Sequence, residues 1–465
     1  MFKNIAYFKI LTFILIGFLF SQCRTKSKLV TPVPSESKVV DTALPDWAKN
    51  STIYEVNVRQ YTEEGTFKAF QSHLPRLKGM GVKILWFMPI YPISETKRKG
   101  TLGSYYAVND FTKVNSEFGT MEDFENLIKD IHRLDMHIIL DWVPNHTGWD
   151  HAWLKKNKDW YTQNENGQVI DPSNPETGES WGWSDVADLN YDNPDLRKAM
   201  IADMKFWIET KNIDGFRMDV AHNVPDDFWL EVKQEVFSLG KPIFMLAEAE
   251  HPMHRNSESF HMSYGWSFHH LMNQIAKGEK SASDIDTWLE EDRSKFQKGM
   301  HMHFTTNHDE NTWNGTVFER MKESHLTLAA LSFLLEGMPL IYSGQEEPLR
   351  KRLEFFEKDN IDFKNYEYEE FYSNLINLKT ENEALWNGSY GGPLIKLFDD
   401  KNIFAFERQK NDSKIIALFN LSKRQAKADL PIQISGQLYS NGENLILEKG
   451  IELELEPWEY LIFIK

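Results

Sequence analysis

Ionisable side chains recur in this chain where apolar runs end. Asp141 and His146 close the run that begins at His137, Arg217 and Asp219 lie in GFRMD (215–219), Glu248 follows Ile243–Ala247, and His308 and Asp309 follow FTTN (304–307). Carboxylates, imidazoles and a guanidinium gathered in one place suit nucleophilic and acid–base chemistry. No Gly-rich phosphate loop, HExxH pair or Ser-His-Asp order competes with them. Their scatter along the chain makes sense only if the fold brings the ends of those runs together.

The elements that would do so follow from periodicity. From Trp47 onward, short β-branched or apolar runs alternate with longer amphipathic stretches, the pattern of strand followed by helix. Strands are predicted at Ile53–Val58, Val82–Phe87, His137–Val143, Gly215–Asp219, Ile243–Glu248, Met302–Asn307 and Leu340–Ser343, with another near Ser263–Phe268. Phe124, Leu127, Ile128 and Ile131 repeat at helical spacing after Thr120, an N-cap with Asp123 at the third helical position. A second helix starts at Asn193-Pro194, where proline suits the first turn. This alternation predicts an α/β fold, a (β/α)8 TIM barrel, with a doubly wound sheet as the alternative from periodicity alone. In a barrel all the strand ends share one face, where active sites are built. Two segments break the pattern. Thr147–Tyr191 carries five Trp residues (149, 153, 160, 181 and 183) without a clean period and reads as an irregular insertion after the third strand. From about Leu394 the period becomes two, as in Ile451-x-Leu453-x-Leu455, which predicts a C-terminal antiparallel β-domain. The expected organisation is a barrel over 46–393 containing an insertion at 147–191, then a β-sandwich over 394–465.

Four runs in this order, DWVPNH (141–146), GFRMD (215–219), MLAEAE (245–250) and FTTNHD (304–309), resemble the signature regions of the α-amylase superfamily, glycoside hydrolase family thirteen. GVKILWFMPIY (81–91), GSYYAVNDF (103–111), VADLN (186–190) and GMPLIYSGQE (337–346) extend the resemblance over roughly residues 47 to 465. The resemblance implies Asp219 as nucleophile, Glu248 as general acid/base and Asp309 as a third carboxylate holding substrate hydroxyls. Such a retaining pair must sit about 5–5.5 Å apart. It further implies a substrate-facing set of His146, His308, His222 and Arg217, with Tyr105 stacked beneath the sugar ring. Arg217 is expected to keep Asp219 ionised, and like charges to raise the Glu248 pKa. Trp181 and Trp183 are candidate stacking platforms. Asn145 and Asp188, with a carbonyl near Asn223, match positions that hold structural calcium in this family. The implied activity is a retaining, endo-acting α-amylase cleaving α-1,4 bonds in starch, glycogen or maltodextrin. The alternatives are an exo-acting α-glucosidase, a transglycosylase or a non-catalytic glycan-binding protein.

Composition narrows the partners. The 465 residues are 41% hydrophobic and 26% charged, enough for a sizeable core. With 52 Lys+Arg against 69 Asp+Glu, the net charge of −17 argues against a nucleic-acid partner. A single cysteine excludes an internal disulfide and a cysteine-based zinc module. That residue, Cys23, follows an eleven-residue apolar run (Ile10–Phe20) preceded by Lys3 and Lys9. The run is too short to span a bilayer and fits a secretory signal. Ending FSQC, residues 1–22 resemble a bacterial lipoprotein signal, which implies lipidation at Cys23. Residues 23–45, rich in Ser, Thr, Pro and Lys, read as a disordered tether reaching ~25 Å. The expected location is the cell envelope, lipid-anchored on the periplasmic side or at the outer membrane, and the expected state is a monomer.

Overall fold

The computed structural model describes residues 40–174 and 177–465. Strands β1 (Ile53–Val56), β2 (Ile84–Phe87) and β3 (His137–Trp142) are followed by a ribbon of β4 (His146–Gly148) and β5 (Val186–Asp188). Then come β6 (Gly215–Met218), β7 (Phe244–Ala247), β8 (Met262–Tyr264), β9 (Met300–His303) and β10 (Met338–Tyr342). All but the ribbon pair in parallel and close into the barrel β1-β2-β3-β6-β7-β8-β9-β10. The (β/α)8 architecture is therefore the one the alternating pattern predicts.

Both faces of these strands are covered, which is why they read as continuous apolar runs. One set of alternate residues faces the helices, among them Leu85, Leu140, Phe216 and Met245. The other set, Ile53, Ile84, Trp86, Ile139, Phe244, Leu246, Met262 and Met302, fills the barrel interior. Period two carries that interior set onward to Glu55, Asp141, Arg217, Asp219 and Glu248. The barrel is thus apolar below and ionisable at its C-terminal end. Gly215 permits a close approach to β7, since a Cβ there would lie 2.0 Å from the Phe244 carbonyl oxygen.

The barrel strands lie within two residues of their predicted bounds, except for two that each end four residues early. The sixth barrel strand is Met262–Tyr264 and not Ser263–Phe268, because the helix Trp266–Lys277 starts one residue beyond Gly265. The seventh is Met300–His303, earlier than Met302–Asn307, since Phe304–Asn307 leave the sheet to carry His308 and Asp309 over the barrel mouth. The helix Met121–Arg133 has the expected reciprocal cap between Thr120 and Asp123, and Asn193 caps Pro194–Phe206.

Beyond the barrel, β11 (Leu394–Phe398), β12 (Ile403–Lys410), β13 (Ser413–Asn420), β14 (Ala426–Asp429), β15 (Ile434–Leu438), β16 (Asn444–Leu447), β17 (Glu452–Leu455) and β18 (Tyr460–Ile464) are antiparallel. Six form a sheet ordered β11-β12-β13-β18-β15-β16, and β14 pairs with β17. Ile403, Leu418, Ala426, Leu453 and Leu455 pack between the two layers. Arg408 of β12 is buried and donates to the carbonyls of Leu334 and Leu335, at the end of the barrel helix His325–Leu334. Among the described residues no helix is long and apolar enough to cross a membrane.

Candidate active site

Arg217 organises the barrel mouth. It has no exposed surface, and its Nη1 donates to Asp141 Oδ1 and Asp219 Oδ1, both at 2.9 Å. Its Nη2 lies 2.7 Å from Glu248 Oε1, and its Nε donates to the Tyr264 hydroxyl at 3.2 Å. One guanidinium is therefore shared among three carboxylates on three neighbouring strands. Burial, with the Glu248 charge next, pushes the Asp219 carboxyl well above its usual range, and Arg217 opposes the shift. Burial also raises Asp141 against the pull of Arg217 and His308. Asp141 and Asp219, two buried acids on one cation, titrate together and not residue by residue. The sequence reading placed Arg217 beside Asp219 alone and among the sugar contacts. With its Nη1 and Nε bonded to protein groups, its Nη2 set against Glu248 and no exposure, it positions the carboxylates instead.

A second chain of contacts reaches Asp309. His308 Nδ1 is 2.5 Å from Glu55 Oε1, while its Nε2 is 2.8 Å from the Tyr106 hydroxyl and 3.4 Å from Asp309 Oδ2. Burial alone would lower the His308 pKa, but the charges of Asp309 and Glu55 raise it to about 9. The imidazolium donates from both nitrogens, and the Tyr106 hydroxyl passes a bond on to Asp141 Oδ2 at 3.1 Å. Trp86 Nε1 donates to the same oxygen at 3.2 Å. Asp309 is partly exposed, and its Oδ1 accepts from Trp313 Nε1 at 3.1 Å. His308 is expected to hold sugar hydroxyls, yet it is buried behind Asp309 with both nitrogens engaged.

Asp219, Glu248 and Asp309 line one cleft of about 440 Å³, together with Tyr106, His146, His222, Trp181, Trp183, Trp266 and Trp313. Val220 directly after Asp219 is left-handed, at φ 44° and ψ 42°. A β-branched residue adopts that backbone only under strain. The twist lets the Val220 N–H donate to Glu248 Oε2 at 2.8 Å. Burial drops the His146 pKa to about 3, so its ring is neutral. Asn145 Nδ2 is 3.1 Å from His146 Nδ1, which makes Nδ1 the acceptor and leaves Nε2–H as a donor. Trp183 sits 5.8 Å from the His146 ring and stacks on Trp181 at 6.0 Å.

One expected contact is misplaced by a single residue. Tyr105 is buried under the Arg59 guanidinium, 4.1 Å away, and packs edge-on against Phe355. Tyr106 is the tyrosine that faces the cleft and stacks on His308. Glu55 and Trp86 escaped the sequence reading. The available signal for Glu55 was an acid inside the apolar run Ile53–Val56.

Asn145 and Asp188 are brought close by the ribbon, where His146 pairs with Asp188 and the Leu189 N–H donates to the Asn145 carbonyl at 3.2 Å. Burial raises the Asp188 carboxyl to about 6. No ion pair to Asp188 occurs among the described residues. A half-buried carboxylate without an ion-pair partner, beside an amide whose Nδ2 is used by His146, fits a hard, oxygen-binding ion. Asn223 lines the cleft next to His222. Cys23 and residues 1–39 lie outside the described residues.

Residues 42–367 match the family model described as alpha amylase, catalytic domain. Alpha-amylase 3 of Dictyoglomus thermophilum is 27% identical over 441 residues, covering 81% of this chain and 86% of that protein. An oligo-1,6-glucosidase of Bacillus cereus is 24% identical, covering 90% and 99%. Among solved structures, the maltogenic alpha-amylase AmyB from Thermotoga neapolitana superposes with a TM-score of 0.80 at 27% identity, over 90% of this chain and 99% of that one.

Proposed function

The chain belongs to the α-amylase family of glycosidases, and within it we propose an endo-acting, retaining enzyme that cleaves α-1,4 bonds in starch, glycogen or maltodextrin. Asp219 attacks the anomeric carbon while Glu248 protonates the departing glycosidic oxygen, giving a covalent glycosyl ester and a shortened glucan. Glu248, now a carboxylate, takes a proton from water, whose oxygen displaces Asp219 and restores the original anomeric configuration. Asp309 and the His146 Nε2–H hold hydroxyls of the cleaved unit, Tyr106 faces its ring, and His222 meets the leaving side.

The observation that carries endo action is aromatic surface on two flanks of the acids, Trp183 beside His146 and Trp313 beside Asp309. Trp181 is 43% exposed and Trp313 52%, so both flanks open to solvent and a chain can run through. The test is to incubate the protein with starch and maltoheptaose and follow product length and anomeric form in the first minutes, with Asp219→Asn as control. Mixed-length α-anomeric products, absent in the variant, support the reading. Glucose alone would make the enzyme an exo-acting glucosidase, dominant longer products a transglycosylase, and no turnover a binding protein.

Calcium, where bound, would be held by Asp188 and Asn145 with a carbonyl at Asn223, fixing the ribbon that carries His146 and taking no part in bond making. For the N-terminus the proposal is a lipid on Cys23 that anchors a monomeric enzyme in the cell envelope. A diacylglycerol mass increment on a mature chain starting at Cys23 supports it, and an unmodified chain starting elsewhere refutes it.

A further inference from the structure

We propose that Asp226, His251 and His254 form a binding site for a divalent transition metal of the zinc class at the edge of the cleft. Asp226 opens the helix Asp226–Phe237, seven residues after Asp219. His251 and His254 flank the first turn of Pro252–Asn256, three and six residues after Glu248. One ligand atom from each of the three lies within 4.8 Å of the others. The Asp226 Oδ1 is 3.4 Å from His254 Nε2 and 3.8 Å from His251 Nδ1. Ligands about 2.0–2.1 Å from a tetrahedral zinc stand roughly 3.4 Å from one another, so small adjustments suffice.

The chemistry of the donors agrees with the spacing. His251 Nδ1 is buried and has no hydrogen-bond partner, although its ring is otherwise half exposed. An orphaned imidazole nitrogen turned toward a carboxylate is the state a metal would satisfy. His254 is held between Trp229 and Phe260, so its direction is fixed before any ion arrives. Two imidazoles and one carboxylate leave a fourth position open to water or a sugar hydroxyl. A second acidic group with His, Glu250, Asp292 and His301, is the weaker candidate. There the Arg255 Nη1 already lies 2.8 Å from His301 Nε2 and supplies the positive charge.

The site ties together the segments that follow Asp219 and Glu248. His222, which lines the cleft, precedes Asp226 by four residues on the same segment. A bound ion would therefore stiffen the leaving-side wall. Its existence does not depend on the glycosidase reading.

The experiment is a zinc titration of the full chain against a colorimetric chelator, in excess calcium so that oxygen sites are filled, with thermal unfolding followed in parallel. The expected result is one zinc per chain and a rise in Tm. His251→Gln and Asp226→Asn each weaken binding on the order of tenfold or more and abolish the Tm rise, while their metal-free Tm matches the parent. Glu250→Gln leaves binding unchanged. Absence of stoichiometric zinc overturns the proposal, as does binding that survives both substitutions or is lost only with Glu250→Gln.

Discussion

His308 Nδ1 and Glu55 Oε1 meet at 2.5 Å inside the barrel, with both side chains almost fully buried. The pair sits behind the cleft, so it acts on the exposed acids through charge and position and not through contact with a ligand.

Charge on His308 is therefore a pH-dependent contribution to stability. Its pKa is raised from 6.5 to about 9, so the stabilisation is fully present below about 6.5 and is lost as pH rises through about 9. Glu55→Gln removes one of the charges that hold the proton. Thermal unfolding from pH 6 to 10 should show the parent losing Tm toward pH 9, with the loss in the variant smaller and shifted to lower pH. The alkaline limb of turnover should move the same way. Superimposable curves would show that the pair does not set the His308 proton.

Val220→Gly separates strain from function. Relief of a left-handed β-branched residue is worth about 1–3 kcal/mol, so Tm should stay level or rise. Freed backbone lets the N–H lose its aim at Glu248, and kcat should fall several-fold with little change in KM. A loss of Tm would refute the strain assignment.

Tyr105→Phe and Tyr106→Phe should part company. The Tyr105 hydroxyl is buried with no hydrogen-bond partner, and removing it should leave kcat/KM within about twofold. Removing the Tyr106 hydroxyl cuts bonds to Asp141 and His308, charged partners for which about 1.5–3 kcal/mol is typical. A tenfold or larger fall in kcat is expected, measured on maltoheptaose. Equal effects would return the sugar contact to Tyr105.

These tyrosines mark where the sequence stops being informative. The interior acids were legible because strands impose a period of two, and an apolar run ending in Asp, Arg or Glu announces both the strand and its functional end. Loop residues have no such period. Nothing in Tyr105-Tyr106 says which ring turns inward, since the answer depends on Arg59 and Phe355 from distant segments. Glu55 was hidden for a different reason. Its partner, His308, is far away in sequence, and an acid in an apolar run looks like an exception until the barrel closes. The three-residue strand Met262–Tyr264 was too short to show alternation at all.

Trp181→Ala tests the extended glucan reading. The ring is exposed and stacked on Trp183, so its loss should leave fold stability unchanged within about 0.5 kcal/mol. The fall in kcat/KM should be larger for maltoheptaose than for maltotriose. Equal losses on both substrates would place Trp181 outside the extended binding path.

The order of the C-terminal sheet has a consequence for biogenesis. Residues Tyr460–Ile464 form β18, which lies between β13 and β15 and not at an edge. A nascent chain leaving its ribosome or secretion channel cannot assemble that sheet until residue 464 has emerged. Until then the Arg408 clasp on the barrel helix His325–Leu334 rests on an unfinished domain. Nonsense or frameshift lesions within the codons for β18 should therefore be as damaging to yield as lesions within the barrel.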